Sequence, residues 1–155
     1  MSEQQKSLQQ IMDFRLEKLQ KLKDAGVNPY PHQFKPTHSS QEILGNYETL
    51  ENKTVVVAGR IMALRKMGKA SFTHIMDGAG RIQAYIRRDD IGEDQYNHFK
   101  LLDIGDFIGI EGYVFTTKMG EISIHADKIT VLAKSIRPLP VVKEKDGETF
   151  DAFTD

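Results

Sequence analysis

Apolar positions follow two different periods along the chain. Between residues 3 and 24, Leu8, Ile11, Met12, Leu16, Leu19 and Leu22 recur at steps of three and four. This spacing draws one stripe along a helix of 3.6 residues per turn, so an amphipathic helix is predicted over residues 3–24. Gly26 and Pro29 are expected to end it. From Lys53 the period becomes two. Thr54–Leu64, Ala70–Met76, Arg81–Arg87, Phe107–Phe115 and Glu121–Leu132 read as strands, rich in β-branched and aromatic residues. Asp77-Gly78-Ala79-Gly80 is a turn by composition, which makes a hairpin of the second and third strands. Glu93–Leu102 reads as a short helix, and Lys118-Met119-Gly120 as the loop between the last two strands.

Two stretches carry neither period. Residues 26–52 form a connector whose prolines bias Asn28, Tyr30 and Lys35 toward extended backbone. A short helix is expected to begin near Ser40, and the connector to lie over the globular part. Residues 141–155 are charged and poor in large apolar groups, which suggests a linker or the first residues of a further domain. The chain thus divides into residues 1–52 (helix and connector), 53–140 (strand-rich domain) and 141–155 (linker). Five strands with a helix between the third and fourth is the element order of an OB-fold barrel. The expected fold is therefore mainly β with helices: a five-stranded OB-fold barrel preceded by an N-terminal amphipathic helix.

Composition narrows the chemistry. The 155 residues include no cysteine, which removes disulfides and thiolate chemistry together. No run approaches the roughly 18 apolar residues of a membrane-spanning helix. The start MSEQQKSLQQ lacks the basic and apolar segments of a signal peptide. A reducing, cytoplasmic setting fits these features. Net charge is −1, but Lys and Arg crowd into Lys6–Lys23, Arg60–Lys69 and Arg81–Arg88. A near-neutral protein can still present a basic face. The histidines His32, His38, His74, His98 and His125 have no metal-binding spacing, and no phosphate-loop motif is present. The carboxylate pairs Asp89/Asp90 and Asp103/Asp106 sit in predicted turns, where capping and solvation account for them.

Strand alternation points to a surface instead. Ile82, Ala84 and Ile86 face one way; Arg81, Gln83, Tyr85 and Arg87 face the other. Ile122, Ile124 and Ala126 likewise alternate with Glu121, Ser123 and His125. Phe72 and His74 share a face with Ala70 and Met76. Paired in a barrel, the second set makes one polar, aromatic-bearing surface. Such a surface suits single-stranded nucleic acid: a base stacks on a ring such as Phe72, and Gln83 and Glu121 read its edge. Arg65, Lys66 and Lys69 in the first loop, with Lys118 in the fourth, are placed to neutralise phosphates. An exposed strand face is polar in any case, so protein or oligosaccharide binding shares this pattern, and Phe72 is a core residue if its strand faces the other way. Arg15, inside the helical stripe, is either a snorkelling or ion-paired side chain or one held toward RNA or a neighbouring domain.

Seven segments are more specific: RLEKLQKL (Arg15–Leu22), GVNPYPHQF (Gly26–Phe34), VAGRIMALRKMGKASF (Val57–Phe72), DGAGRIQAYIRR (Asp77–Arg88), DIGDFIGIEG (Asp103–Gly112), TTKMGEISIH (Thr116–His125) and LAKSIRPLP (Leu132–Pro140). In this order they resemble the N-terminal region of bacterial class II lysyl-tRNA synthetases. The GRI, GKASF and GRIQ series alone also admits aspartyl- and asparaginyl-type synthetases; GVNPYP, KASF and SIRPLP favour the lysyl family. The resemblance implies an anticodon-binding domain for lysine tRNA in a lysine–tRNA ligase. It assigns Phe72 to stacking on the central uridine of the anticodon, Gln83 and Arg65 to its edge or adjacent backbone, and Glu121 to completing the pocket. Arg60, Lys66, Lys69, His125, Lys18, Lys21 and Lys23 are weaker candidates for backbone contacts. After SIRPLP the family continues into a catalytic domain that uses ATP and magnesium; this chain carries none of those motifs, so no cofactor is expected in this segment. The implied parent enzyme is a homodimer and the isolated piece a monomer, with no DNA or membrane partner. A stand-alone OB-fold acting as an RNA-binding or protein-adaptor module is the other reading.

Overall fold

The computed structural model describes residues 7–27, 34–135, 142–145 and 148–151. Helix α1 spans Leu8–Asp24. Ser7 begins it with a capping box: its hydroxyl accepts from the Gln10 amide, and the Gln10 side chain accepts from the Ser7 amide. Gly26 ends it at φ +82°, a left-handed conformation that glycine enters without a Cβ penalty. The amides of Gly26 and Val27 then bond back to the carbonyls of Lys23 and Leu22. Pro29 lies outside the described residues. The buried face of α1 is rotated from the predicted stripe. Arg15, Leu19 and Leu22 are buried, whereas Leu8 and Leu16 are exposed. Arg15 sits inward because its guanidinium donates to the Ser135 carbonyl at 3.3 Å, and only the C-terminal half of the helix reaches the core, through Leu22.

The described part of the connector, from Phe34, lies against the barrel, with the Thr37 amide donating to the Val56 carbonyl of the first strand at 2.8 Å. Helix α2 (Ser40–Gly45) starts with a second capping box, between Ser39 and Glu42, and α3 (Tyr47–Leu50) follows. Asp77 ties α2 to the barrel by accepting from the amide and hydroxyl of Ser40.

The five strands are β1 (Thr54–Met67), β2 (Ala70–Met76), β3 (Arg81–Arg87), β4 (Phe107–Thr116) and β5 (Ile122–Ala133). β1 closes the barrel: Thr54–Arg60 pairs with β4, and Arg60–Met67 with β2. β3 pairs with β2 antiparallel and with β5 parallel, and β5 returns to β4. Two helices, α4 (Arg88–Ile91) and α5 (Glu93–Lys100), fill the gap between β3 and β4. α5 buries Tyr96 and Phe99 in the core, and the Tyr96 hydroxyl is satisfied by Ser71 Oγ and the Gly68 carbonyl, each at 2.8 Å.

A bulge in β1 sets the phase of the surface. Val55, Val57 and Ile61 face the core, and strict alternation would send Arg65 inward as well. The register shifts between Ile61 and Ala63, so Leu64 takes the inward position and Arg65 turns outward.

Within the segment read as a linker or the first residues of a further domain, residues 142–145 and 148–151 are described. Backbone strands β6 (Val142–Lys145) and β7 (Glu148–Asp151) form a hairpin, and β7 pairs with Ala63–Arg65 of β1. β4 leaves that edge of β1 at Arg60. The unpaired amides and carbonyls beyond it are a template for another strand.

Candidate nucleic-acid interface

The register of the barrel lines up one row of side chains across its outer face. Arg65 is opposite Phe72, Phe72 opposite Tyr85, Tyr85 opposite His125, and His125 opposite Tyr113. The core-facing neighbours on β2 are Ser71, Thr73 and Ile75, all buried, so Phe72 belongs to the outer face. Its ring stacks on Tyr85 at 4.7 Å between centroids. Tyr113 and His125 stack at 4.6 Å with their planes 11° apart, and Tyr85 meets His125 edge-on at 5.5 Å. Phe115 joins the group beside Tyr113 and His125.

Polar groups flank the rings. Gln83, one step along β3, has its amide oxygen held by the Ser123 hydroxyl at 2.8 Å. Glu121 Oε2 meets His74 Nε2 at 2.8 Å. His125 Nε2 contacts Asp90 at 2.6 Å, and Asp90 also accepts two bonds from the Arg87 guanidinium. The Arg87 bonds are the main reason that the Asp90 carboxyl lies below the usual carboxylate range, and His125 adds to them. Asp90, expected to be solvated in a turn, therefore organises this face from α4. Gly112 permits the close approach of β4 and β5 here, because a Cβ on it would collide with the His125 carbonyl oxygen.

Comparison with known proteins agrees with this geometry. A family model of OB-fold nucleic acid binding domains, of the tRNA anticodon type, matches residues 55–132, which is the barrel from β1 to β5. The chain belongs to this anticodon OB-fold family. Among curated proteins it is 50% identical over 139 residues to a lysine–tRNA ligase of Pelotomaculum thermopropionicum, covering 90% of this chain and 28% of that protein. It is 54% identical over 151 residues to lysine–tRNA ligases of two Porphyromonas gingivalis strains, covering 91% of this chain and 26% of each. The chain thus spans about a quarter of the length of the P. gingivalis relatives.

Of the residues singled out from the sequence, this anticodon OB-fold brings Phe72, Gln83, Arg65, Glu121 and His125 to one face. The other cations are dispersed. Arg65 and Lys66 lie within β1, which runs to Met67, so only Lys69 is in the first loop; it is exposed at the hairpin tip. Lys66 points away from Phe72 and donates to the Lys100 carbonyl at 3.1 Å. Desolvation there, with the Lys18 charge nearby, lowers its pKa. Lys18 is paired with Asp103 at 2.8 Å. Lys21 and Lys23 are exposed on α1, with Lys21 4.0 Å from Glu17. The Arg60 guanidinium lies over the Phe107 ring at 5.4 Å. Asp103 and Asp106 are not solvated turn residues either: both bind the buried ammonium of Lys134 at 2.8 Å.

Tyr113 and Phe115 were missed from the sequence, and Tyr85 was placed on this face without a role. The signal for the first two was available: Ile108, Ile110, Gly112 and Val114 face inward, which leaves Tyr113 and Phe115 outward. Asp90 had no such signal, because its partners lie at the end of β3 and on β5.

Proposed function

We propose that this chain reads the anticodon loop of lysine tRNA, as the accessory part of a lysine–tRNA ligase. The observation that carries the reading is the Arg65–Phe72–Tyr85 row with Gln83 and Glu121 beside it, on a barrel whose family and relatives are those above. An unpaired base stacks on Phe72, a contact worth about 1–3 kcal/mol. The neighbouring polar groups then suit uracil. Because Ser123 donates to the Gln83 amide oxygen, the Gln83 NH₂ is the group that faces a base, and it matches the uracil O4 acceptor. Glu121 accepts from the uracil N3–H. Cytosine inverts both groups, offering an N4 donor and an N3 acceptor, so each contact becomes a mismatch. Arg65 and Lys69 hold the adjacent phosphates.

Lysine activation with ATP and magnesium belongs to the part of the ligase that this chain does not cover, and so does the parent homodimer; the segment itself is a monomer. The setting that goes with this reading is the cytoplasm; separately, among the described residues no helix is long and apolar enough to cross a membrane.

The test is a fluorescence titration with two lysine-tRNA anticodon stem-loops that differ only in the central base, uridine or cytidine. Tighter binding of uridine is expected, with Phe72→Ala weakening it by about 5- to 150-fold while the variant remains folded. Equal affinity for both loops would reduce the domain to a general single-strand binder, and a folded Phe72→Ala variant with unchanged affinity would remove the stacking assignment.

A further inference from the structure

The stacked pair of Phe72 and Tyr85 is only half of the aromatic row. From Phe72 on β2 to Tyr113 on β4 there are three inter-strand steps of about 4.7–4.9 Å, or roughly 14 Å, more than one base covers. OB-folds engage about 4–16 nucleotides of single strand, so one occupied position leaves most of this face unused. The far half is built with care. Tyr113, His125 and Phe115 lie in mutual contact on an outward face where polar side chains are the norm. One face of Tyr113 is taken by His125. On its other side the neighbour in the row is Thr54 of β1, a small and exposed residue, so no second ring meets Tyr113 from that strand. His125 cannot swing away, because Asp90 holds its Nε2 at 2.6 Å and is itself fixed by Arg87.

We propose that Tyr113, backed by His125 and Phe115, is a second base-stacking position, taking another unpaired nucleobase of the same loop, with Asp90 as the residue that positions its floor. The proposal rests on the anticodon-loop reading above. It makes the aromatic row a two-site reader: Phe72 takes the central base, and Tyr113 takes one of its loop neighbours. The geometry favours a base over a charged partner, since the position offers ring faces and a hydroxyl, while Asp90, the carboxylate behind its floor, is engaged by Arg87 and His125.

The experiment is a set of cycles on the full chain. Anticodon stem-loops carrying a single abasic site at each loop position in turn are titrated against the wild type, Phe72→Ala, Tyr113→Leu and Asp90→Asn. Tyr113→Leu keeps the apolar volume and removes the ring, and circular dichroism and thermal melting establish that each variant is folded. The wild type is expected to lose about 5-fold or more at the central position and at one other position. Tyr113→Leu loses the sensitivity at that other position alone; Asp90→Asn weakens it partially, at the same position, which a merely structural role would not select. Phe72→Ala loses the sensitivity at the central position. If the losses from Tyr113→Leu and from every non-central abasic site simply multiply, the second position is overturned while the central one stands. If Phe72→Ala fails to couple with the central abasic site, the anticodon-loop reading itself fails.

Discussion

β5 has a polar cluster near each end, and the two clusters are built on opposite plans. Past its C-terminus, the Lys134 ammonium is wholly buried between Asp103 and Asp106, each at 2.8 Å. Asp103 also takes Lys18 from α1, Asp106 accepts from the Ser135 and Asp103 amides, and Arg15 closes on the Ser135 carbonyl. Every charge in that node has a partner, and its product is attachment: it fastens α1 and the loop before β4 to the end of β5. Toward its N-terminus, Ser123 and His125 join the aromatic row. There the rings are half-buried, and among the described residues no ion pair links Arg65, Lys69, Arg81 or Lys118 to a carboxylate. A buried charge must be matched within the protein, because an unmatched one is costly to desolvate. A cation left in water keeps its capacity to meet a phosphate. Lysines near in sequence to the binding residues, such as Lys66, therefore need not belong to the interface, and partnering is the better guide.

The largest expected effect tests the closed region. Lys134→Ala leaves two carboxylates around an empty position, and breaking a buried pair in this way costs about 3–5 kcal/mol. Urea unfolding should show that loss, with the RNA affinity of the folded fraction unchanged. A loss below about 1 kcal/mol would show that the node is not what fastens α1.

A smaller effect appears at acid pH. Burial pushes the Asp103 carboxyl up, but Lys134 and Lys18 outweigh it and hold it below the usual carboxylate range. A group lowered on folding contributes stability above its unfolded value, about 3.9, and loses it as pH falls through the folded value. Asp106 is pushed up by its burial and titrates with the opposite sign, so Asp103 is isolated by substitution. Asp103→Asn should lower stability at neutral pH and flatten its fall below about pH 4. Curves for the variant and the wild type that stay parallel down to pH 2 would take Asp103 out of the node's energetics.

The smallest effect compares cations in the two regions. Each phosphate contact to a single strand contributes about 0.7 to the slope of log affinity against log salt. Arg65→Gln should reduce the slope by about that amount. Lys18→Gln should leave it unchanged, because Lys18 is committed to Asp103. Equal reductions in both variants would erase the distinction between open and closed cations.

Period-two alternation was enough to put Gln83, Tyr85 and His125 on one face and Ile82, Ala84 and Ile86 in the core, because a half-buried strand writes its two sides directly into the chain. The same rule applied to β4 exposes Tyr113 and Phe115. Continued along β1, alternation would send Arg65 inward, and a single bulge reverses that phase; Ser123 keeps the outward side but is fully buried beneath Gln83 and Glu121. In α1 the three- and four-residue period misjudged Leu8 and Leu16, since periodicity marks an apolar stripe but not how far the barrel extends beneath it.

By itself, then, the sequence determined the order of the elements, the barrel that they close and the side chains that its outer strands present, because local propensity and alternation act within a few residues of each position. Only the tertiary structure decided which of those side chains meet. Strand register set Arg65, Phe72, Tyr85, His125 and Tyr113 in one row, the β1 bulge turned Arg65 into it, and α4 brought Asp90 onto His125. The physical reason is distance along the chain: these contacts join residues on separate strands and loops, so they exist only after the barrel has closed.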